Sequence, residues 1–428
     1  MHGLSMLPST LLLTFLFEAT FFFSLACRSQ LVRHSCFLLL LWILYTTVLR
    51  KSSSPPANSD VGYAMLLLLQ TWIASDVLVL TKDLHNTFRR LDKKGRIDTD
   101  ISSAPFTERL VWGFSLVTNP RGIGWEHGSS PRLPYNQDRA DNPRIQIDSR
   151  KHFLLHKNIA LIISIGYFRL SSYITRSSVS SFLQIRIKDD FVWGFITSVV
   201  YVSRVVAYCN SLHLGLVIVM VGIGVWDYQQ CPPLFGDWTE GYSLRNVWGR
   251  VWHQLLRRIL KSHASFILSL FRISPNSTYR SSYYVIRSLT AILLSGLLHQ
   301  TMASISPPRK AYNTVFSFLT GPDMQFFFSQ ALGVMLETVG MWMWRSLYSI
   351  AAKGRNEKEM GKDEVKCIRN RYWHYSRVIG YLWVVSWCSW TVQRHMNGVV
   401  GLGLMHDPDF DPRKFELNPP EMWKWLKN

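Results

Sequence analysis

Long apolar blocks, separated by polar segments, run along most of this chain. The blocks cover residues 7–26, 35–49, 61–80, 153–170, 191–208, 212–226, 283–302, 326–350 and 378–404. A helix of about 20 apolar residues crosses a bilayer, so the pattern predicts about eight or nine transmembrane helices. No block alternates apolar and polar residues as a barrel strand would. The sequence therefore predicts an all-α, polytopic integral membrane protein with additional in-plane amphipathic helices.

The polar segments predict three regions along the chain. Residues 1–82 are expected to form an N-terminal group of transmembrane helices, and residues 83–152 a polar loop. Within that loop, residues 110–125 are apolar and contain an Asn-Pro-Arg-Gly turn, which predicts a short interfacial helix. Residues 153–428 are expected to form the membrane core. A polar Gln-Arg-His triplet interrupts the last apolar block and predicts a helix in two pieces.

Residues 243–261, SLRNVWGRVWHQLLRRILK, have the period of an amphipathic helix. At 3.6 residues per turn, one face carries an apolar stripe of Trp248, Trp252, Leu255 and Ile259. The other face carries Arg250, Gln254, Arg257, Arg258 and Lys261, with His253 at its edge. The pattern predicts a helix lying in the membrane plane. Its cations either contact headgroups only, or receive an anionic coenzyme while His253 and Gln254 face a reaction chamber.

Residues 283–302 form an apolar helix interrupted near its end by His299 and Gln300. An ionisable side chain inside a membrane helix indicates a functional site. The alternative is a histidine that packs and hydrogen-bonds to a neighbouring helix. Glu337 and Arg204 pose the same choice, since each either locks two helices together or lines a substrate tunnel.

The formal charge of +19 limits the partners further. Basic residues lie mainly between the apolar blocks, which favours contact with anionic lipid headgroups over nucleic acid. The same charge suits a substrate that carries phosphates. None of the six cysteines forms a CxxC pair, so we expect reduced packing residues and no metal site.

Four segments together resemble a known family. VWGRVWHQLLR is similar to the FWGRRWHQ-type signature of the wax-synthase-like branch of membrane-bound O-acyltransferases. LLSGLLHQ resembles the apolar helix that carries the family's histidine, and FFFSQALGVMLE resembles the helix after it. LVTNPRGIGW resembles an upstream Arg-Gly-Ile-Gly element. Val247 and Val251 depart from the family's Phe and Arg. The resemblance runs from about residue 110 to about residue 345.

The resemblance implies an acyltransferase that moves an acyl group from acyl-CoA to an alcohol oxygen. It implies His299 as the general base, with His253 as a second catalytic residue. The substrate-binding residues it implies are Trp248, Arg250, Trp252, Gln254, Arg257, Arg258 and Glu337. The co-substrate would be acetyl-CoA, with no bound cofactor and no metal. The acceptor would be a hydroxylated lipophilic small molecule, a terpenoid or meroterpenoid of secondary metabolism. The expected location is the endoplasmic reticulum membrane.

Two other functions stay open at this point. Plant members of the same branch make wax esters from a fatty acyl-CoA and a fatty alcohol. A transporter or scaffold would need no chemistry, although the paired, broken repeats typical of transporters are not visible in the sequence. His406 and Asp411 match an H-x4-D acyltransferase pattern, in a proline-flanked polar tail.

Overall fold

The computed structural model describes residues 7–49, 58–91, 96–97, 100–119, 121–122, 124–127, 149–174, 190–228, 231–275, 280–305, 314–353 and 362–401. All the regular structure in these ranges is helical, apart from two isolated β-bridges. The predicted all-α fold is confirmed for this part of the chain. His406 and Asp411 lie outside the described residues.

The helices are numbered here in chain order. The N-terminal half contains α1 (Leu7–Ala26), α2 (Gln30–Leu44), α3 (Asn58–Ala74), α4 (Leu84–Thr87), α5 (Phe106–Val117), α6 (Arg150–Ile174) and α7 (Asp190–Gly222). The C-terminal half contains α8 (Leu244–Asn246), α9 (Arg257–Leu270), α10 (Arg280–Ile305), α11 (Val315–Leu319), α12 (Pro322–Lys353) and α13 (Lys362–Gly401). One-turn π segments extend α2, α3 and α8 through Tyr45–Leu49, Ser75–Leu80 and Val247–Val251.

Five of the described helices are long and apolar enough to cross a membrane. Their spanning portions are Gln30–Val48, Arg150–Ser171, Gly194–Gly222, Arg280–Ser304 and Pro322–Met343. Two shorter apolar helices accompany them, at Leu12–Ala26 and Ala64–Leu80. Apolar surface on these helices is widely exposed, as expected where lipid replaces water. The larger count of eight or nine stays a prediction.

The main hydrophobic core joins the N-terminal helices to the first polar region. Phe17, Phe21 and Leu25 of α1 are fully buried or nearly so, and they belong to the same cluster as Trp125. Leu298 of α10 also packs in this cluster, next to the histidine of that helix. The core therefore anchors one side of α10 against the N-terminal helices.

Two predicted chain breaks are wrong. The blocks at 191–208 and 212–226 are predicted as separate helices, but α7 runs without a break from the first block into the second and ends at Gly222. The polar residues between the blocks have partners that do not interrupt the helix. Asn210 Nδ2 donates to Ser164 Oγ on α6 at 2.8 Å, and Ser211 Oγ donates to the carbonyl of Ala207 within the helix at 2.8 Å.

The second wrong break is at the Gln393-Arg394-His395 triplet, where α13 is continuous. Gln393 lies directly against Gly194, where a Cβ atom would approach its Nε2 to 2.3 Å. The His395 Nδ1 atom lies 3.3 Å from the Pro322 carbonyl oxygen. Polar side chains that reach neighbouring helices need no break in their own helix.

Candidate active site

A cavity of about 1180 Å³ lies between the chain at 242–261 and helices α10, α12 and α13. His253 and His299, 46 positions apart in the sequence, both line it. So do all the residues to which the sequence assigned substrate binding, except Arg258: Trp248, Arg250, Trp252, Gln254, Arg257 and Glu337. The structure thus brings nearly all of the predicted residues to one chamber.

Helix α10 presents one face to this chamber. Arg287, Ala291, Ser295 and His299 follow one another at intervals of four residues, and each lines the cavity. Residues at this spacing lie along one side of a helix. Arg287 is not among the residues predicted to bind substrate, although its spacing from His299 places it on the same face.

The imidazole of His299 is fixed by an aromatic stack. Its ring lies 5.0 Å from the ring of Phe327 on α12, with the planes inclined by only 22°. Helix α10 approaches closely here because Gly296 has no side chain: a Cβ atom at that position would lie 2.7 Å from Phe327 Cβ. Any larger residue would push the two helices apart and separate the stacked rings.

The single amphipathic helix predicted for residues 243–261 is wrong. The π segment that extends α8 ends at Val251. Trp252 follows it with an extended ψ of 151°, and α9 begins only at Arg257. The Val251 carbonyl, which a continuous helix would use internally, accepts instead from the Gly236 amide at 2.8 Å. That close approach requires glycine, since a Cβ atom at Gly236 would meet the Arg250 carbonyl oxygen at 2.1 Å.

This break has a direct consequence for the site. Trp252, His253 and Gln254 lie in the irregular segment between the two helices, and each lines the cavity. The His253 ring packs beside Trp252 at 5.6 Å and Phe235 at 6.3 Å. On a continuous helix, three consecutive side chains would point about 100° apart and not into one chamber.

A chain of aromatic contacts connects the two histidines. From Phe327 it continues to Trp248 at 5.7 Å, and from Trp248 to Trp252 at 5.8 Å. Trp248 Nε1 donates to Gln330 Oε1 at 3.3 Å, and Gln330 Nε2 in turn donates to Thr391 Oγ1 at 2.8 Å. The tryptophans therefore have fixed positions and exclude water along one wall of the chamber.

The polar groups next to the histidines are only partly satisfied. His253 Nδ1 is buried and has no hydrogen-bond partner among the described residues. Burial lowers the pKa of His253, so its ring is neutral at neutral pH. Gln254 Nε2 donates to the Trp252 carbonyl at 2.5 Å, while its buried Oε1 has no partner in the described part of the chain. Such groups are available to a ligand.

Glu337 lines the chamber and also joins three segments. One carboxylate oxygen accepts from the Leu244 amide at 2.5 Å and from Trp383 Nε1 at 2.9 Å. The other accepts from the Arg245 amide at 3.2 Å. Glu337 thereby caps α8 from α12 while also holding α13, which is the helix-locking arrangement considered from the sequence.

The predicted arginines occupy different surroundings. Arg250 is largely exposed and pairs with Glu240 at 3.1 Å, while its side chain still borders the chamber. Arg258 points away from the chamber and pairs with buried Asp76 at 3.2 Å. Arg257 and Lys261 line the chamber, so its walls on this side are cationic.

The chain matches the family model for the membrane-bound O-acyl transferase family over residues 231–321. This range contains both histidines and α10. The chain is also 26% identical over 288 residues to Acetyltransferase eriL of Hericium erinaceus, covering 66% of this chain and 70% of the relative. It is 25% identical to Acetyltransferase ple2 of Rhodocybe pseudopiperita, covering 84% of each chain. O-Mevalon transferase yanI of Aspergillus niger is 26% identical, with 86% of this chain and 79% of the relative covered. No solved structure matches the chain.

Apolar helices that enclose a chamber with two histidines, together with these relatives, define an acyltransferase of the membrane. The chain matches the membrane-bound O-acyl transferase family model over the segment that contains this chamber's histidines, and it is similar to fungal proteins named acetyltransferases. The family resemblance and the enzyme class expected from the sequence are confirmed.

Proposed function

We propose that this enzyme transfers the acetyl group of acetyl-CoA to a hydroxyl group of a terpenoid or meroterpenoid in secondary metabolism, at the endoplasmic reticulum membrane. The observation that carries the proposal is the position of His299. Its ring stacks on Phe327 and borders a cavity of about 1180 Å³ that is also bordered by cations and by His253. Pockets for one drug-sized ligand are typically about 300–1,000 Å³, so the chamber is larger than a usual one-ligand pocket.

The reaction needs a base beside the acceptor hydroxyl. A neutral His299 accepts the hydroxyl proton while the oxygen attacks the thioester carbonyl carbon, forming the new C–O bond. The tetrahedral intermediate then breaks its C–S bond, and the leaving thiolate takes the proton back from the imidazolium. The base is restored and the products are the acetyl ester and free CoA. A positioned base of this kind contributes about 10²–10⁴-fold to the rate.

His253 is the second catalytic residue of the proposal. A neutral imidazole with its proton on the unpartnered Nδ1 has one hydrogen-bond donor to offer. Directed at the thioester oxygen, that donor stabilises the oxyanion of the intermediate. Gln254 would orient the thioester, with Trp248 and Trp252 forming the dry wall that keeps water from the intermediate.

The coenzyme would enter from the cationic side. Arg250, Arg257, Lys261 and Arg287 border the chamber there, and the opposing carboxylate of Glu337 is already occupied by three donors. An excess of positive charge at a cavity mouth favours the phosphates of CoA. The acceptor would approach along the apolar wall of α12 and α13, which suits a hydrophobic alcohol dissolved in the membrane.

Wax ester synthesis is the second candidate function. It uses the same residues with a longer acyl chain. The apolar surroundings of the chamber suit any lipophilic substrate, so they do not distinguish a fatty alcohol from a terpenoid. Acetyl transfer is preferred because relatives such as those of Hericium and Rhodocybe are named acetyltransferases. The Aspergillus relative is named an O-Mevalon transferase, so the relatives do not all carry the same activity name.

Donor and acceptor competition tests the proposal. Microsomes that contain the enzyme are incubated with labelled acetyl-CoA or palmitoyl-CoA, each paired with a hydroxylated terpenoid or with hexadecanol. The proposal predicts labelled terpenoid acetate as the main product, and none in microsomes without the enzyme. Hexadecyl palmitate as the main product would support the wax synthase function, and no labelled ester from any pair would contradict both.

A further inference from the structure

A second, smaller cavity of about 370 Å³ lies beside the chamber. Its walls contain four cationic side chains, those of Arg121, Arg257, Arg258 and Lys261. Three residues line both cavities, namely Gln254, Arg257 and Lys261. The two cavities therefore meet at this shared wall, which begins at Gln254, the residue after His253.

The positive charge in the small cavity is not balanced. Among the described residues, Asp76 supplies the one carboxylate within ion-pair distance of the four cations, at 3.2 Å from Arg258. Repulsion adds to the effect of burial, because the neighbouring Arg257 lowers the pKa of both Arg121 and Lys261. Buried charge without a counter-charge is costly, which indicates that an anion completes the site.

The start of α9 adds to this positive field. Arg257, Arg258 and Lys261 occupy its first turn and a half, where the helix dipole disfavours cations. Leu256, at the N-cap, offers no side-chain acceptor to the amide groups of that turn, of which the Arg257 amide donates to the Gln254 carbonyl at 3.3 Å. Helix starts with free amides bind phosphate groups, so the unusual placement of cations here fits a phosphate ligand.

The other wall of the cavity contains Arg121 and His127, from the segment that carries the Arg-Gly-Ile-Gly element. Gly122 and Gly124 have φ values of 65° and 75°, which other residues rarely adopt. Trp125 is 1% exposed, and the Leu91 amide donates to the Gly124 carbonyl at 2.8 Å. The turn is thus held against the core, with Arg121 donating to the Pro233 carbonyl.

His127 ends this turn with two free ring nitrogens. Both are buried and lack partners in the described part of the chain, and burial lowers the pKa of His127 to about 3. A neutral histidine has one donor nitrogen to offer a phosphate oxygen. Its ring packs edge-on against Phe88 at 4.7 Å, and the Arg258 guanidinium lies 4.8 Å from the same Phe88 ring. Phe88 therefore positions both groups at the cavity.

We propose that this cavity is a phosphate subsite, formed by Arg121, His127, Arg257 and Lys261, that holds a phosphate group of the acyl-CoA donor while its thioester arm passes Gln254 into the chamber. This inference rests on the proposed function for the identity of the donor. In this proposal, the Arg-Gly-Ile-Gly element helps to bind a phosphate group of the coenzyme, although it lies far in sequence from His253 and His299.

Direct binding tests the subsite independently of acetyl transfer. Detergent-purified enzyme is titrated with adenosine 3′,5′-bisphosphate, with acetyl-CoA and with acetyl-pantetheine, which lacks the nucleotide phosphates. Lys261→Gln and Arg121→Gln should each weaken binding of the bisphosphate and of acetyl-CoA about tenfold, the usual effect of one lost charge-assisted contact. Binding of acetyl-pantetheine should not change.

Two controls make the result specific. Arg89→Gln removes a cation that pairs with Glu126 outside the cavity, and should leave all three affinities unchanged. Lys261→Arg keeps the charge and should restore bisphosphate binding, which a merely misfolded variant would not do. Unchanged bisphosphate affinity in both Gln variants would overturn the subsite.

A lipid headgroup is the other source of a phosphate. The same variants are therefore titrated with detergent micelles containing phosphatidic acid. If Lys261→Gln and Arg121→Gln weaken lipid binding but not bisphosphate binding, the subsite holds a headgroup and the coenzyme assignment is overturned. Bisphosphate binding that depends on these residues in an enzyme with no acetyltransferase activity would support the subsite while contradicting the proposed function.

Discussion

The His299 imidazole lies nearly parallel to the Phe327 ring, with the centroids 5.0 Å apart. Among the described residues, this stack is the contact that sets the plane of the His299 ring. An enzyme loses up to about 10²-fold in rate when a reacting group moves by about 1 Å. The orientation of His299 should therefore depend on Phe327.

Phe327→Ala tests that dependence. The change removes the stacking partner, so kcat should fall about 10–100-fold while the KM for acetyl-CoA changes little. Steady-state kinetics with saturating acceptor measure both. The neighbouring Phe328 is 62% exposed, and Phe328→Ala serves as the matched control with activity near wild type. Equal kcat values for the two variants would show that the stack does not position the base.

Glu337→Gln should destabilise the protein. A glutamine keeps one acceptor oxygen but directs an NH₂ group at N–H donors that the carboxylate now satisfies. Losing hydrogen bonds to a charged group in a partly buried site costs about 1–3 kcal/mol. Thermal unfolding in detergent should show a lower midpoint for Glu337→Gln than for Glu126→Gln, whose carboxylate is 55% exposed and lies 4.0 Å from the exposed Arg89. Coinciding midpoints would rule out the locking role.

The Asp76–Arg258 pair should behave as a coupled unit. Asp76 is 3% exposed and Arg258 17%, so Asp76→Asn leaves a buried arginine without a counter-charge. Removing one partner of a buried pair costs about 3–5 kcal/mol. The double variant Asp76→Asn with Arg258→Gln should recover part of that loss. A double-variant loss equal to the sum of the two single losses would show that the residues do not interact.

Coenzyme affinity should depend on pH through Lys261. Burial, together with Arg257 and Arg287, lowers the pKa of Lys261 to about 8. The other charged groups of its cavity are Arg121 and Arg258, which keep their protons in this range. Lys261 therefore loses its charge as the pH rises through about 8, and a bound phosphate raises its pKa by favouring the charged form.

The expected result is a KM for acetyl-CoA that is constant from about pH 6.5 to 7.5 and rises above about pH 8. Lys261→Arg should keep the KM constant up to about pH 9, because arginine stays charged. The measurement is a pH series of KM values for both proteins with the same acceptor. A parallel rise in the two proteins would assign the pH dependence to another group.

Apolar periodicity was enough to predict the helices that surround the site. The first predicted block coincides with α1, and His299 lies in a continuous apolar helix as expected. Apolar periodicity predicted the wrong helix ends where a polar side chain contacts a neighbouring helix. Asn210 and Gln393 looked like interruptions in the sequence, yet each packs against another helix without ending its own.

The sequence predicted which residues line the site better than it predicted how those residues are arranged. The break after Val251 depends on the Gly236 amide, a tertiary contact that no helical wheel contains. Arg121 and His127 could not be placed beside Lys261 from the sequence, because the turn that carries them is positioned by the burial of Trp125. The resemblance of the Arg-Gly-Ile-Gly element to the family was the one available signal.

The central claim is that His299 is the base for acyl transfer. The direct measurement is the initial rate of labelled acetyl transfer by His299→Ala in microsomes, with acetyl-CoA binding measured in parallel. His156→Ala, which changes an exposed histidine on α6, is the matched control. We predict a rate about 10²–10⁴-fold below wild type, unchanged acetyl-CoA affinity, and normal activity in the control. A His299→Ala enzyme that retains most of the wild-type rate would contradict the claim.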